Sequence, residues 1–413
     1  MTPDLRPTMI PESACNFVLD VTPGDEIFSR ISALKTQMQI AGVDALFLTH
    51  KPDIYYFSGT AQDCYLYLSL EREPLLFVKR YLPRAELETS IREIVPILSV
   101  KEIPDKIRDA HKCLPSSMGL AYDVVPVRDF QFYQGLFKNT AFRDGTPLIE
   151  ACRQIKSPYE IQQMETGAGI SRRIFDFMSR TLAPGISETE FCGQVEAFAR
   201  SQGHSGRLQM RHYRSEGFSF HLMSGETGGL PGALDSPVCG SGTCTAYPFG
   251  AGPKLIRENE PILVDFGSMV KGYHMDESRM FVLGKMETAA MDASLASMEI
   301  LNRIQEIMKP GTRIKDIFDA SVTMANALGY EDEFLGLPEL KSRFVGHGIG
   351  LELVENPILA KERPTRLQAG MVFAVEPKFL FKNRFAAGIE SVIQITRTGS
   401  RFLSVTENKI FIC

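Results

Sequence analysis

The feature that most constrains this chain is a segment that recurs 126 residues further on. Pro184-Gly185 is followed by Glu190, Phe191, Phe198, Ala199 and Gly203, and Pro310-Gly311 by Asp316, Ile317, Met324, Ala325 and Gly329 at the same offsets. Ser187 and Thr312 stand where helix caps are expected. Two helix units this far apart predict a domain built from two related halves rather than a short-period solenoid. Such a domain can carry a site on the seam between its halves.

The 413 residues exceed what one such domain needs, and a boundary is legible near Cys152. Just after it, Ser157-Pro-Tyr-Glu160 combines a cap, a proline at the first helical position and a glutamate three residues past the cap. The helix it opens carries Ile161, Met164, Ala168, Ile174, Phe175, Met178 and Leu182 on one face. We therefore expect domains at 1–152 and 153–413. In the first, a helical pattern from Ile27 ends at Gly42, a strand follows from Asp44, and Tyr65–Leu70 and Pro74–Val78 read as hairpin arms. Further strands are expected at Ile97–Val100 and from Gly119, giving an α/β domain.

A net charge of −5 argues against a nucleic-acid surface, and no apolar run reaches the length of a membrane span. The start, from Met1 to Pro7, lacks the apolar core of a signal peptide. The eight cysteines then read as reduced thiols of a cytoplasmic protein. Cys239 and Cys244 have no further ligands at zinc spacing, so they read as part of a glycine-rich loop.

The chemistry concentrates in the second half. Pro261-Ile-Leu-Val-Asp265 and the run through Asp276 predict two strands around Val270-Lys271-Gly272, with Asp265 opposite Asp276. Opposed residues have Cβ atoms roughly 4.5–5.5 Å apart. Two carboxylates so close repel unless a cation lies between them, and Asp265 follows an apolar run where a lone charge is costly. Glu376 and Glu390 repeat the pattern, each among apolar strand neighbours, and His347 lies between the two pairs, flanked by glycines. Four carboxylates and an imidazole, without thiolates, can hold two hard divalent ions.

These residues resemble the pita-bread metallopeptidases, in particular the aminopeptidase P and prolidase branch with its creatinase-like relatives. The resemblance rests on Tyr55-Tyr-Phe-Ser-Gly, Leu120-Ala-Tyr-Asp, Ile155-Lys-Ser-Pro-Tyr-Glu-Ile, Val264-Asp-Phe-Gly, Gly272-Tyr-His-Met-Asp-Glu-Ser-Arg, Gly346-His-Gly-Ile-Gly-Leu, Val375-Glu-Pro and Gly388-Ile-Glu. It implies an α/β (α+β) chain: a creatinase/prolidase-like domain, then a pita-bread catalytic domain with pseudo-twofold halves. It implies that Asp265 chelates one metal, Asp276 and Glu390 bridge both, and His347 with Glu376 holds the second. The ions would share an activated hydroxide, with Glu376 passing the proton to the leaving amine. The implied enzyme is a homodimer that cuts Xaa-Pro bonds in short peptides, with no nucleic-acid or membrane partner. Manganese suits the oxygen-rich cage best, while cobalt, iron or zinc can fill similar ones. A creatinase-like hydrolase of a non-peptide C–N bond in a small amide substrate, or a binding module without turnover, are the alternatives.

The pattern also breaks. Family members usually carry a histidine about where Tyr247-Pro-Phe249 stands and another where this chain has Val354; an arginine common before the last glutamate is replaced by Gly388. His212 and His221 are the candidate catalytic substitutes for the histidines, and Arg384 for the arginine. The glycine-rich stretch from Gly225 to Gly252 departs from the family too, and it lacks the Lys-Ser or Lys-Thr of a phosphate loop.

Overall fold

The computed structural model describes residues 20–413, apart from 213, 214, 216, 218, 219, 233 and 235; the start from Met1 to Pro7 lies outside them. The chain forms two compact units, one ending at Cys152 and one running from Arg153 to Cys413.

The first unit alternates helices and strands in this order: α1 Gly24–Ala41, β1 Ala45–Leu48, α2 Lys51–Ser58, β2 Cys64–Ser69, β3 Leu75–Val78, α3 Leu82–Glu88, β4 Glu93–Pro96, α4 Ile103–His111, β5 Ser117–Leu120, α5 Val127–Leu136, β6 Ala141–Asp144 and α6 Thr146–Gln154. The strands make one sheet in the order β4-β3-β2-β1-β5-β6, with β1–β2–β3 antiparallel and the outer pairings parallel. Gly42 ends α1 at φ 63°, the left-handed position that favours glycine. The strand expected at Ile97–Val100 lies earlier, at Glu93–Pro96. Ser99 Oγ accepts from Lys101 N while Glu102 reaches back to Ser99 N at 2.9 Å, so this capping box turns the chain into α4 instead.

The second unit opens with α7 Pro158–Thr181. Its capping box is complete: Glu160 N donates to Ser157 Oγ at 3.2 Å and Ser157 N to Glu160 Oε2 at 3.0 Å. Next come α8 Glu188–Ser201, β7 Phe220–Ser224, β8 Ile262–Val270 and β9 Tyr273–Val282. The second half follows with α9 Thr288–Ile307, α10 Ile314–Ala327, β10 Phe344–Gly348, β11 Glu355–Ala360, β12 Val372–Val375, β13 Lys378–Phe381, β14 Phe385–Gly388, β15 Ser391–Ile395, β16 Ser400–Phe402 and β17 Phe411–Ile412. Among the described residues the sheets run β17-β9-β8-β7, β11-β10-β12-β15-β16 and β13-β14.

The repeat extends to the backbone. Gly185 and Gly311 sit at φ 84° and 91°, and Gly203 and Gly329 at 103° and 85°. Gly185 N donates to Ile256 O and Gly311 N to Leu367 O, both at 2.8 Å; Glu188 N and Ile314 N donate to Lys254 O and Thr365 O, both at 3.0 Å. One expected cap differs. Ser187 accepts from Glu190 N at 3.1 Å, but the residue equivalent to it is Arg313, not Thr312. Arg313 pairs with Asp316 at 2.7 Å, while Thr312 Oγ1 donates back to Ile307 O.

The two helix pairs cover the sheets from outside. Phe175 of α7 packs on Phe266, Phe281 and Phe411. Fully burying such a side chain stabilises by about 1.5–3 kcal/mol. Ile300, Leu301 and Ile304 of α9 share a core with Phe373, Phe379 and Phe385 from the second-half strands.

Candidate metal centre

The β8–β9 hairpin turns through two residues, Lys271 at φ 53° and Gly272 at φ 85°, the paired positive angles of a tight hairpin. This fixes a register other than the expected one. Asp265 faces Ser278, and Asp276 faces Gly267. The slip is two residues, so side-chain alternation keeps both aspartates on one face as diagonal neighbours. His221 of β7 faces Asp265 from the other side and shares that face.

Ser278 is also the link to the other half. It exchanges backbone hydrogen bonds with Glu390 at 3.2 and 3.1 Å, and its hydroxyl donates to Glu390 Oε2 at 2.9 Å. The buried Arg279 guanidinium anchors this seam, donating to the carbonyls of Ser278, Glu390, Thr406 and Glu407. Glu376 follows β12, and His347 sits on β10 opposite Ala374. Strand contact explains one of its flanking glycines: a Cβ on Gly346 would stand 2.4 Å from Ala374 O.

Asp276, His347 and Glu390 each present a ligand atom within 4.8 Å of the other two, all buried. His347 Nε2 lies 3.8 Å from Asp276 Oδ2, and Nδ1 lies 3.0 Å from Gly348 O. Oxygen donors with one imidazole have the chemistry of a divalent-ion site, so this trio fits the metal expected. Asp265, Glu376 and the same Glu390 also converge on a cation. Their oxygens stand 2.8, 2.9 and 2.8 Å from Nζ of Lys378, a residue that sequence reading missed. The available signal was a lone lysine heading an apolar strand, two residues after a candidate ligand.

The electrostatics follow from this crowding. Burial acts to raise the Asp265 carboxyl, but the Lys378 ammonium and then His221 hold it below the usual range. Burial and then Glu390 and Asp265 push Asp276 well above that range. Glu390 is raised by burial, against the pull of Lys378. Lys378 is driven upward by Asp265, Glu376 and Glu390 against the opposing effect of burial. Burial lowers His221 to about 4, so its imidazole is neutral at pH 7.

The other candidates separate. His212 is exposed on the segment before β7, whereas His221 lies on β7 itself, opposite Asp265. Arg384 does not replace the lost arginine. The β13–β14 register puts Lys378 opposite Gly388 and leaves Arg384 at the far, turn end of the hairpin. There it is half-exposed, 3.4 Å from Glu287 and over the Phe385 ring. Val354 and Tyr247 are both partly exposed. Beside Val354 lies a buried ion network that sequence reading also missed. Arg153 bonds Glu352 and Glu355, Lys156 bonds Glu355 at 3.0 Å, and Arg211 reaches Glu352 at 3.3 Å.

Comparison with known proteins agrees with this architecture. The model of metallopeptidase family M24 matches residues 162–397, and that of the creatinase/prolidase N-terminal domain matches residues 30–155. An Xaa-Pro dipeptidase of Pyrococcus furiosus is 23% identical over 384 residues, covering 92% of this chain and 99% of the relative. The structure of an Xaa-Pro dipeptidase from Bacillus anthracis superposes with a TM-score of 0.79 at 22% identity, covering 94% of this chain and all of the other. An X-Pro aminopeptidase from Thermotoga maritima gives 0.77 at 22% identity, covering 92% and 100%.

Proposed function

The chain belongs to metallopeptidase family M24, and from that membership we propose that it hydrolyses the Xaa-Pro bond of short peptides. The observation that carries the reading is the convergence of Asp276, His347 and Glu390 within 4.8 Å on the seam between the two halves. These three residues would hold a divalent ion, for which manganese is our choice given oxygen-rich ligation with one imidazole. When bound, the ion supplies Lewis acidity toward the scissile carbonyl.

The remaining steps belong to the chain. Glu376 takes a proton from the attacking water at Oε1, while Oε2 stays on Lys378, and delivers it to the prolyl nitrogen as the C–N bond breaks. His221, neutral and buried beside Asp265, donates a hydrogen bond to the developing oxyanion. A homodimer, supported by the motif resemblance and open to test by sedimentation velocity, completes the reading, with a cytoplasmic location supported by the cysteines read as reduced thiols.

The deciding assay is release of proline from Xaa-Pro dipeptides, and of the first residue from longer Xaa-Pro peptides, after manganese loading. Protein that binds manganese yet cleaves neither substrate class would sink the reading. A second reading, creatinase-like hydrolysis of a non-peptide C–N bond, is favoured by Val354 and by Tyr247-Pro-Phe249 standing about where the family resemblance leads one to expect histidine; cleavage of a small amide would then replace peptide cleavage.

A further inference from the structure

We propose that the ammonium of Lys378 is a permanent cation of this centre, taking the place of one of two metal ions and leaving room for a single divalent ion among Asp276, His347 and Glu390. An ammonium has three N–H donors and no acceptor. Here all three are matched, by Asp265 Oδ2, Glu376 Oε2 and Glu390 Oε2 at 2.8–2.9 Å. The group is fully buried, so it stands inside the cage and not at its rim.

The fold is shaped around it. Lys378 pairs with Gly388 across the β13–β14 hairpin, and a Cβ on residue 388 would come 2.6 Å from Lys378 Cγ. Only hydrogen at position 388 leaves a channel for the lysine stem. A longer side chain at 388 and the lysine at 378 are therefore in steric conflict. Charge leads the same way. Asp265, Asp276, Glu376 and Glu390 bring four carboxyl groups to one buried centre, and the lysine already supplies a positive charge beside three of them. A second ion on the Asp265 and Glu376 oxygens would have to share them with a buried positive group that cannot reach water.

The inference rests on the metal-dependent reading above for its one ion, but its test does not depend on turnover. Full-length protein purified without chelator and dialysed against manganese chloride should carry one manganese per chain by elemental analysis. Crystals soaked in manganese should show one anomalous peak, at Asp276, His347 and Glu390, with Lys378 Nζ still on Asp265 and Glu376. Lys378→Gly should raise the content from one to two ions per chain. Two ions or none in the wild type, or Lys378 displaced from the carboxylates, overturns the proposal, as does folded Lys378→Gly that stays at one. Should that variant fail to fold, the wild-type stoichiometry and anomalous map decide alone. One bound manganese without cleavage of Xaa-Pro substrates would uphold the single-ion centre while removing the peptidase reading.

Discussion

Glu188 and Ser224 are joined twice: the carboxylate Oε1 accepts from the backbone N–H of Ser224 at 2.8 Å and from its hydroxyl at 2.7 Å. Its other oxygen accepts from Gly252 N at 2.9 Å, so one buried side chain on α8 ties both ends of the glycine-rich stretch. Glu188→Ala would strand those donors, and a buried unsatisfied polar group costs roughly 1–3 kcal/mol. We expect a loss of about 3 kcal/mol in urea unfolding and new proteolytic cuts between residues 225 and 261. An unchanged digestion pattern would show that the stretch is held by something else.

Gly388→Ala tests the channel for the lysine stem. Overpacking a filled site typically costs about 1–3 kcal/mol, and this contact involves the Lys378 backbone and Cβ as well, at 3.0 Å. A destabilisation in that range is expected by chemical denaturation. A change below about 0.5 kcal/mol, the usual scatter at sites without such a contact, would mean the hairpin has slack.

Asp276→Asn should remove manganese binding and turnover together. In metal-free buffer it should also raise the melting temperature, because burial, Glu390 and Asp265 all push the Asp276 carboxyl upward. A carboxyl raised in the folded state opposes folding as pH climbs past its unfolded value of about 4, so the gain should be absent near pH 4 and grow as pH rises. A variant less stable than wild type at pH 8 in chelator contradicts this.

Glu355 has the opposite sign. Burial acts against its charged form, yet Arg153 and Lys156 lower the carboxyl to about 2. Its stabilising contribution is complete above the unfolded value of about 4.5 and is lost as pH falls toward 2. At roughly 1.4 kcal/mol per pKa unit this amounts to about 3 kcal/mol. The stability gap between wild type and Glu355→Gln should be constant from pH 7 to 5 and narrow below about pH 4.5. A gap independent of pH down to 3 would rule this account out.

The two candidate histidines should behave differently. His221→Gln is expected to lower kcat on an Xaa-Pro substrate by about 100-fold, a typical cost for a hydrogen-bonding catalytic group, with little change in manganese content. His212→Ala, at an exposed position, should stay within about threefold on the same scale. Equal effects of the two substitutions would remove His221 from the mechanism.

What the sequence determined is what short stretches of chain carry within themselves. The Ser157–Glu160 capping box, the paired Pro-Gly steps at 184 and 310, and the carboxylates set among apolar strand residues are signals between near neighbours, and each was legible before any coordinates. What only the tertiary structure decided are relations whose partners lie far apart. A turn centred one residue later moved Asp265 from Asp276 to Ser278, and the alternation of strand side chains preserved the shared face. A lysine in a buried strand with only Glu376 beside it in sequence has little justification; Lys378 gains one when the seam brings Asp265, 113 residues away, and Glu390 to its ammonium. Arg384 was the nearer cation in sequence to the gap it was expected to fill, but hairpin register turned it toward solvent. Charge complementarity in the interior depends on distance through space, and that distance is set by how the two halves close on each other.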